Sequence, residues 1–328
     1  MSISIGYLSF AHAAPSGVAD AVGHSSAQVE KGPSDIFERL TQRRLLAPGE
    51  DVVSLVVTAA QKALARAHVS ADQIDRLYGT VMPSEYVLPN CLFRVHQSLG
   101  LSADCQVIPV EAGFAGFIKN SQLAAEAVLL ARASRVLVVC GSGLSRHVVP
   151  NSPAAQVVGD GAGAAVVGAS EQWVFIDYLE RTFTGDDDYH GMTLSSRMIE
   201  RGGTETYHAD ERGLPIATFE IDERGARSFA KYGLPEPPRL ASMLLKKHHL
   251  RPSDVTLVSH QGSKRLMEHW ASEIGPRAHL LTMDRYGDPG VASIPMTLSE
   301  RQSEIDTDWV VFLAPSPGAH FAAMLIRR

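Results

Sequence analysis

Few side chains in this sequence stand where chemistry could use them. His260 follows the apolar run Val255-Thr-Leu-Val-Ser259, which places an imidazole at the end of a buried strand, facing a crevice between elements. Asp288 lies in the glycine-bounded loop Tyr286-Gly-Asp-Pro-Gly290, ahead of a helical run. A histidine is the side chain most easily used as a general base near neutral pH, and a carboxylate bonded to one ring nitrogen fixes the tautomer and raises basicity at the other. Other candidates carry less. Asp186-Asp-Asp-Tyr-His190 has metal-ligand residue types, but acid runs in loops are usually solvated faces, so no metal is expected there. Arg43 and Arg44 are of the type that grips phosphate, and His320 sits in a turn near the C-terminus. The run Gly159-Asp-Gly-Ala-Gly163 is no phosphate loop, because no Lys-Ser/Thr follows.

Composition narrows the class. The chain has 328 residues, 45% of them hydrophobic, with 30 basic and 36 acidic side chains and a net charge of −6. That balance argues against general nucleic-acid binding, since nothing would offset phosphate repulsion. Cys91, Cys105 and Cys140 show no CxxC spacing and read as buried thiols in a reducing compartment. No segment approaches the ~18 apolar residues of a membrane span. Met1-Ser-Ile-Ser-Ile-Gly-Tyr-Leu8 alternates like a strand and lacks the basic start of a signal peptide, so a cytoplasmic protein with no membrane partner is expected.

The length exceeds that of a usual single domain, and the elements that must position these residues repeat. Asp51–Ala67 has helical apolar spacing, with acids near its start that suit the helix dipole. It runs through a short polar turn into the strand Leu77–Val81. The helix Arg239–His249, a polar turn and the strand Thr256–His260 follow the same order, with Val69 and Ile74 matching Leu250 and Val255 at a constant offset of 181 residues. In each half a helix ending in glycine comes next, Asn90–Gly100 and Lys264–Gly275. Each half then has a glycine-containing turn, a helical run, an apolar strand (Arg135–Cys140, Trp309–Leu313) and a glycine-rich, hairpin-like close (Val158–Gly168, Pro317–Ile326). Alternation of this kind predicts an α/β fold of two duplicated halves, 1–170 and 171–328. The polar, charge-rich stretch 182–233 reads as an insertion or cap over the site; surface decoration is the other reading.

Four short signatures carry a resemblance. Ala112-Gly-Phe-Ala-Gly-Phe117, Gly159-Asp-Gly-Ala-Gly-Ala-Ala165, Ser259-His-Gln261 and Tyr286-Gly-Asp-Pro-Gly-Val-Ala-Ser-Ile-Pro295 occur in the order and spacing found in the β-ketoacyl-ACP synthase III group of the thiolase superfamily. Over nearly its full length the chain resembles that group. The resemblance implies a thiolase-like fold, with βαβαβαββ halves building five αβαβα layers. It also implies a site where positions 114, 260 and 288 meet at the bottom of a pantetheine tunnel, fed by acyl-CoA or an acyl carrier protein and needing no other cofactor.

The departures decide the chemistry. The family cysteine falls on Phe114, and no Cys, Ser or Thr lies between Glu111 and Phe117. The family asparagines fall on Asp288 and Ser263. Pro317, which has no N–H, stands near the family's oxyanion donor. A covalent acyl-enzyme is thereby removed. Phe114 reads as a core aromatic that shortens the acyl pocket. Two readings stand. In one, the protein is an acyltransferase of secondary metabolism that moves an acyl group to a small-molecule hydroxyl or amine, with His260 and Asp288 as general base, Ser263, His320, Arg43 and Arg44 binding substrate, and a homodimeric assembly. In the other, it is a catalytically silent subunit that forms a heterodimer with a cysteine-bearing paralogue.

Overall fold

Apolar runs with no polar alternation become strands covered on both faces, and here they build two sheets with the same plan. The computed structural model describes residues 4–20, 40, 42–86, 88–149, 152, 154–195, 199–201, 204–206 and 216–328. Strand β1 (Ile5–Ala13) leads to a ribbon of β2 (Gly17–Asp20) and β3 (Gln42–Leu45), then to helix α1 (Val52–Ala67). Next come β4 (Arg76–Met82), α2 (Leu92–Leu99), β5 (Gln106–Pro109), α3 (Gly116–Leu129), β6 (Arg135–Ser142) and β7 (Gly161–Ala169). The second half opens with β8 (Val174–Thr182). The segment α4 (Asp186–His190), β9 (Met192–Ser195), β10 (Ile199–Arg201), β11 (Thr204–Thr206), β12 (Thr218–Ile221) and α5 (Glu223–Ser228) is then inserted. The half resumes with α6 (Glu236–Lys247), β13 (Val255–Ser259), α7 (Lys264–Ile274), β14 (Ala278–Leu280), α8 (Met283–Tyr286), α9 (Ser293–Arg301), β15 (Trp309–Ser316) and β16 (His320–Arg327).

Strand order shows the duplication directly. One half runs β5-β4-β6-β7-β1 and the other β14-β13-β15-β16-β8, the same permutation twice. The first three strands of each are parallel and the last two antiparallel. The sheets meet edge to edge where Gly6 pairs with Val174, giving a continuous ten-stranded sheet. A single-turn 3₁₀ helix stands before β4 (Ala71–Gln73) and again before β13 (Pro252–Asp254), at the same 181-residue offset read from the sequence.

Helices fill three layers around these sheets. Helix α1 buries Val53, Val56, Ala60, Ala63 and Leu64 on one face, and its N-cap Asp51 accepts the Ser54 N–H, an arrangement worth about 1 kcal/mol. With α2 it covers the outer face of the first sheet. Helices α6 and α7 cover the outer face of the second sheet. Between the sheets, α3 packs on β4, β6, β15 and β16, and α9 packs on β1, β7 and β13. Glycines in β7 let α9 approach, because a Cβ at Gly163 would come within 2.6 Å of Pro295.

One expectation changes. The segment 158–168 is no hairpin: β7 is one strand, paired antiparallel with β6 on one side and β1 on the other. Only the second glycine-rich close contains a tight turn, at Pro317–Ala319 between β15 and β16. The short edge strands β5 and β14 went unread because they are brief and partly exposed, so they lack an apolar run.

His279 on β14 offers a test of the packing. Its Nε2 lies 2.8 Å from Ser259 Oγ, and burial holds its pKa down at about 4. The unfolded chain binds this proton at about pH 6.5. Stability is therefore intact above that pH and declines as pH falls toward 4, by on the order of 3 kcal/mol in total. Urea unfolding at intervals between pH 6.5 and 4 should show this slope, and it should be flatter in His279→Asn; identical slopes would place a charged His279 in the folded protein.

Candidate active site

The site forms where the second sheet's strand ends face the start of α3. His260 immediately follows β13, and its backbone N–H donates to Leu313 O at 2.8 Å, extending the pairing of β13 with β15 by one residue. Gln261, fully buried, clamps the turn: its Nε2 donates to Ser259 O and its Oε1 accepts from Thr282 N, both at 2.9 Å. Asp288 is held through its backbone, which donates to Val157 O and accepts from Gly159 N, both at 2.8 Å. The glycine-rich Gly159–Ala165 motif thus aims a carboxylate. Asp288 Oδ1 accepts from Gly290 N at 2.9 Å.

These supports bring the two side chains together. His260 is 4% exposed and Asp288 8%, and Nε2 of the first lies 3.6 Å from Oδ2 of the second. On the other side of the imidazole, Nδ1 lies 3.4 Å from Ser293 Oγ. That hydroxyl donates to Gly290 O at 2.6 Å, so its lone pairs face the ring. It is placed to accept from Nδ1–H, the tautomer in which the Nε2 lone pair faces Asp288 and the cavity. The sequence reading gave Asp288 the task of fixing the tautomer; the structure also sets Ser293 Oγ against the other ring nitrogen. Asp288 stands beside the nitrogen that would take a proton, where its charge stabilises an imidazolium. Gly262 keeps that side open, because a Cβ there would sit 2.7 Å from Nε2.

Phe114 forms the third wall. Its ring lies nearly parallel to the imidazole, with centroids 4.9 Å apart and planes at 11°, and its edge meets Phe219 at 5.8 Å. It is 8% exposed, so it is a core aromatic as expected, and it also fixes the plane of the base. Behind it, Ser316 Oγ accepts the Phe114 N–H at 3.1 Å and donates to Ala112 O at 3.0 Å. Gly113 makes this approach possible: its φ is +51°, and a Cβ would lie 2.2 Å from that hydroxyl.

All three side chains border a cavity of about 470 Å³. Its apolar walls include Leu144, Val158, Met192, Leu266, Trp270 and Phe321. Residues of β12 and α5, among them Phe219, Asp222 and Ala226, line it from the inserted segment; residues 196–198, 202–203 and 207–215 of that segment lie outside the described residues. Five carboxylates (Asp188, Glu220, Asp222, Glu223, Asp288) border it, and no Arg or Lys does among the described residues.

Comparison with known proteins agrees with this geometry. A profile of 3-oxoacyl-[acyl-carrier-protein] synthase III matches residues 109–181, and one of its C-terminal part matches residues 245–328. Over these two segments the chain is similar to the 3-oxoacyl-ACP synthase III family. It is 28% identical over 296 residues to the β-ketoacyl-ACP synthase III of Pectobacterium atrosepticum, covering 88% of each chain. The 3-oxoacyl-ACP synthase III structure from Aquifex aeolicus superposes with a TM-score of 0.80 at 20% identity, over 99% of this chain and all of that one. The priming β-ketosynthase of the R1128 polyketide pathway gives 0.81 at 19% identity, over 99% and 96%. The fold is thus the thiolase-like one.

Within this synthase III fold the remaining candidates separate. Ser263 is the N-cap of α7, its side chain accepting from Leu266 N, and it does not line the cavity. His320 is also outside the cavity wall: its Nδ1 lies 2.9 Å from Thr182 Oγ1 and its Nε2 3.9 Å from Glu180, because side chains alternate along β16 and its neighbour Phe321 is the one that lines the cavity. Arg43 points inward and donates to Val158 O at 3.0 Å, and neither it nor Arg44 borders the cavity. Cys91, Cys105 and Cys140 are buried and outside the cavity wall, with burial pushing the thiols up, Cys105 to about 11. The α4 acids join no cluster fit for a metal among the described residues. No described helix is long and apolar enough to cross a membrane.

Ser293 and Ser316 were the residues that sequence reasoning missed. Ser293 was inside a quoted signature, but its role depends on where a hydroxyl points. The tautomer is measurable. With ¹⁵N-histidine labelling, wild type should show Nδ1–H at His260, and Ser293→Ala should shift the equilibrium toward Nε2–H; an unchanged tautomer would remove Ser293 from this role.

Proposed function

We propose that the protein transfers an acyl group from a CoA or carrier-protein thioester to a small-molecule hydroxyl or amine, in one step and without an acyl-enzyme. The observation that carries the reading is the buried His260/Asp288 pair facing an apolar cavity that no cysteine borders among the described residues. Members of the synthase III family act on acyl-CoA and acyl-carrier-protein thioesters and need no metal or other cofactor, which supplies the donor class. The polyketide priming enzyme among the structural neighbours supports a place in secondary metabolism.

The steps balance on this chain's own groups. His260 Nε2 takes the proton of the acceptor X–H as X attacks the thioester carbonyl. Asp288 stabilises the imidazolium electrostatically, by on the order of a few kcal/mol at this spacing. Collapse breaks the C–S bond, and the leaving thiolate takes the proton back. The net change is R–CO–SR′ plus HX giving R–CO–X plus HSR′. The base supplies about 10²–10⁴-fold, and the rest comes from holding the reactants together. With no Arg or Lys bordering the cavity among the described residues, the phosphates of CoA stay outside it, and the described residues of β12 and α5 stand over the acyl chain and acceptor. Assembly follows the dimer usual for the family.

Acetyl- to lauroyl-CoA assayed against a panel of primary amines and alcohols should reveal transfer, and His260→Ala should lower it about 10²–10⁴-fold. Asp288→Asn should keep binding and lower turnover by about tenfold or more through the lost charge. Undiminished transfer by His260→Ala would end this reading. A silent subunit is the second reading, favoured by the engaged Phe114 N–H and by proline at 317. It is supported if transfer appears only when a cysteine-bearing paralogue is added.

A further inference from the structure

We infer that Ser316 withholds the Phe114 N–H from the bound thioester and so slows hydrolysis of the donor. The inference rests on the acyl-transfer reading and concerns what the site excludes. A base that can deprotonate an acceptor can also deprotonate water, and the competing reaction R–CO–SR′ plus H₂O gives carboxylate, a proton and free thiol. Water attack on a thioester depends strongly on donors aimed at the developing oxyanion, each worth about 10²–10³-fold.

At this cavity wall such a donor exists and is occupied. The Phe114 N–H stands at the start of the turn leading into α3, on the residue whose ring stacks against His260. Ser316 Oγ accepts from it at 3.1 Å while donating to Ala112 O at 3.0 Å, so both partners of the hydroxyl are satisfied. Ser316 borders the cavity and is 9% exposed. The next residue, Pro317, brings no N–H of its own to this wall. Bringing the hydroxyl this close requires glycine at 113, so two positions from opposite ends of the chain cooperate in closing one amide. An acceptor held beside His260 compensates through its high effective concentration, whereas water gains no such advantage.

The test uses full-length protein labelled with ¹⁵N-phenylalanine, with laurate as an oxyanion probe and lauroyl-CoA as donor. In wild type the Phe114 amide signal should not move on adding laurate. In Ser316→Ala the freed amide should shift downfield on titration, and acceptor-independent thiol release from lauroyl-CoA should rise at least tenfold. Ser316→Thr keeps the hydroxyl and should behave as wild type, separating this role from loss of packing in the turn. A Phe114 amide that ignores laurate in Ser316→Ala, or one that already responds in wild type, overturns the inference. Because the laurate titration needs no turnover, either result is independent of whether acyl transfer itself is found.

Discussion

One hydroxyl ties the two halves of this molecule together at the site. Ser316, at the end of β15, reaches across to the turn before α3 and bonds both sides of Gly113. Its position follows from the duplication: two sheets with the same strand order sandwich α3 and α9, so the start of α3 must approach the strand ends of the second sheet. Once that approach is fixed, the ring of Phe114 has one place to go, flat against His260. The tie therefore settles the backbone of the turn, the plane of the base and the loss of a free amide together.

The environment of His260 follows from the same packing. Elements that meet between the sheets supply one wall each: Ser293 from α9 sets the tautomer, Asp288 from the preceding loop stands at Nε2, and Phe114 from the first half covers a ring face. A buried imidazole and carboxylate are costly unless each is partnered. Here each has partners, and one ring nitrogen still faces a cavity. The arrangement places an imidazole and a carboxylate together at a cavity that no cysteine borders among the described residues.

The fold was legible because its strands are continuous apolar runs and its helices carry capped, periodic faces. The repeat at 181 residues appeared twice as the same helix, 3₁₀ turn and strand. Phe114, His260 and Asp288 were legible as positions, since short motifs preserve order. Their orientations were not, because hydrogen-bond direction is set by tertiary packing: the contact of Ser293 Oγ with His260 Nδ1 could not be read from a motif. Arg43, Ser263 and His320 show the converse, contacts that no motif announces. Arg43 serves backbone carbonyls, Ser263 caps a helix, and strand alternation turns His320 away.

Direct transfer and transfer through an acyl-enzyme differ in whether both substrates must be bound at once. Initial rates measured over a grid of acyl-CoA and acceptor concentrations separate them, since a covalent intermediate gives ping-pong kinetics. The account predicts intersecting double-reciprocal lines with no acyl adduct on the intact protein by mass spectrometry. Parallel lines accompanied by an acylated protein would contradict it.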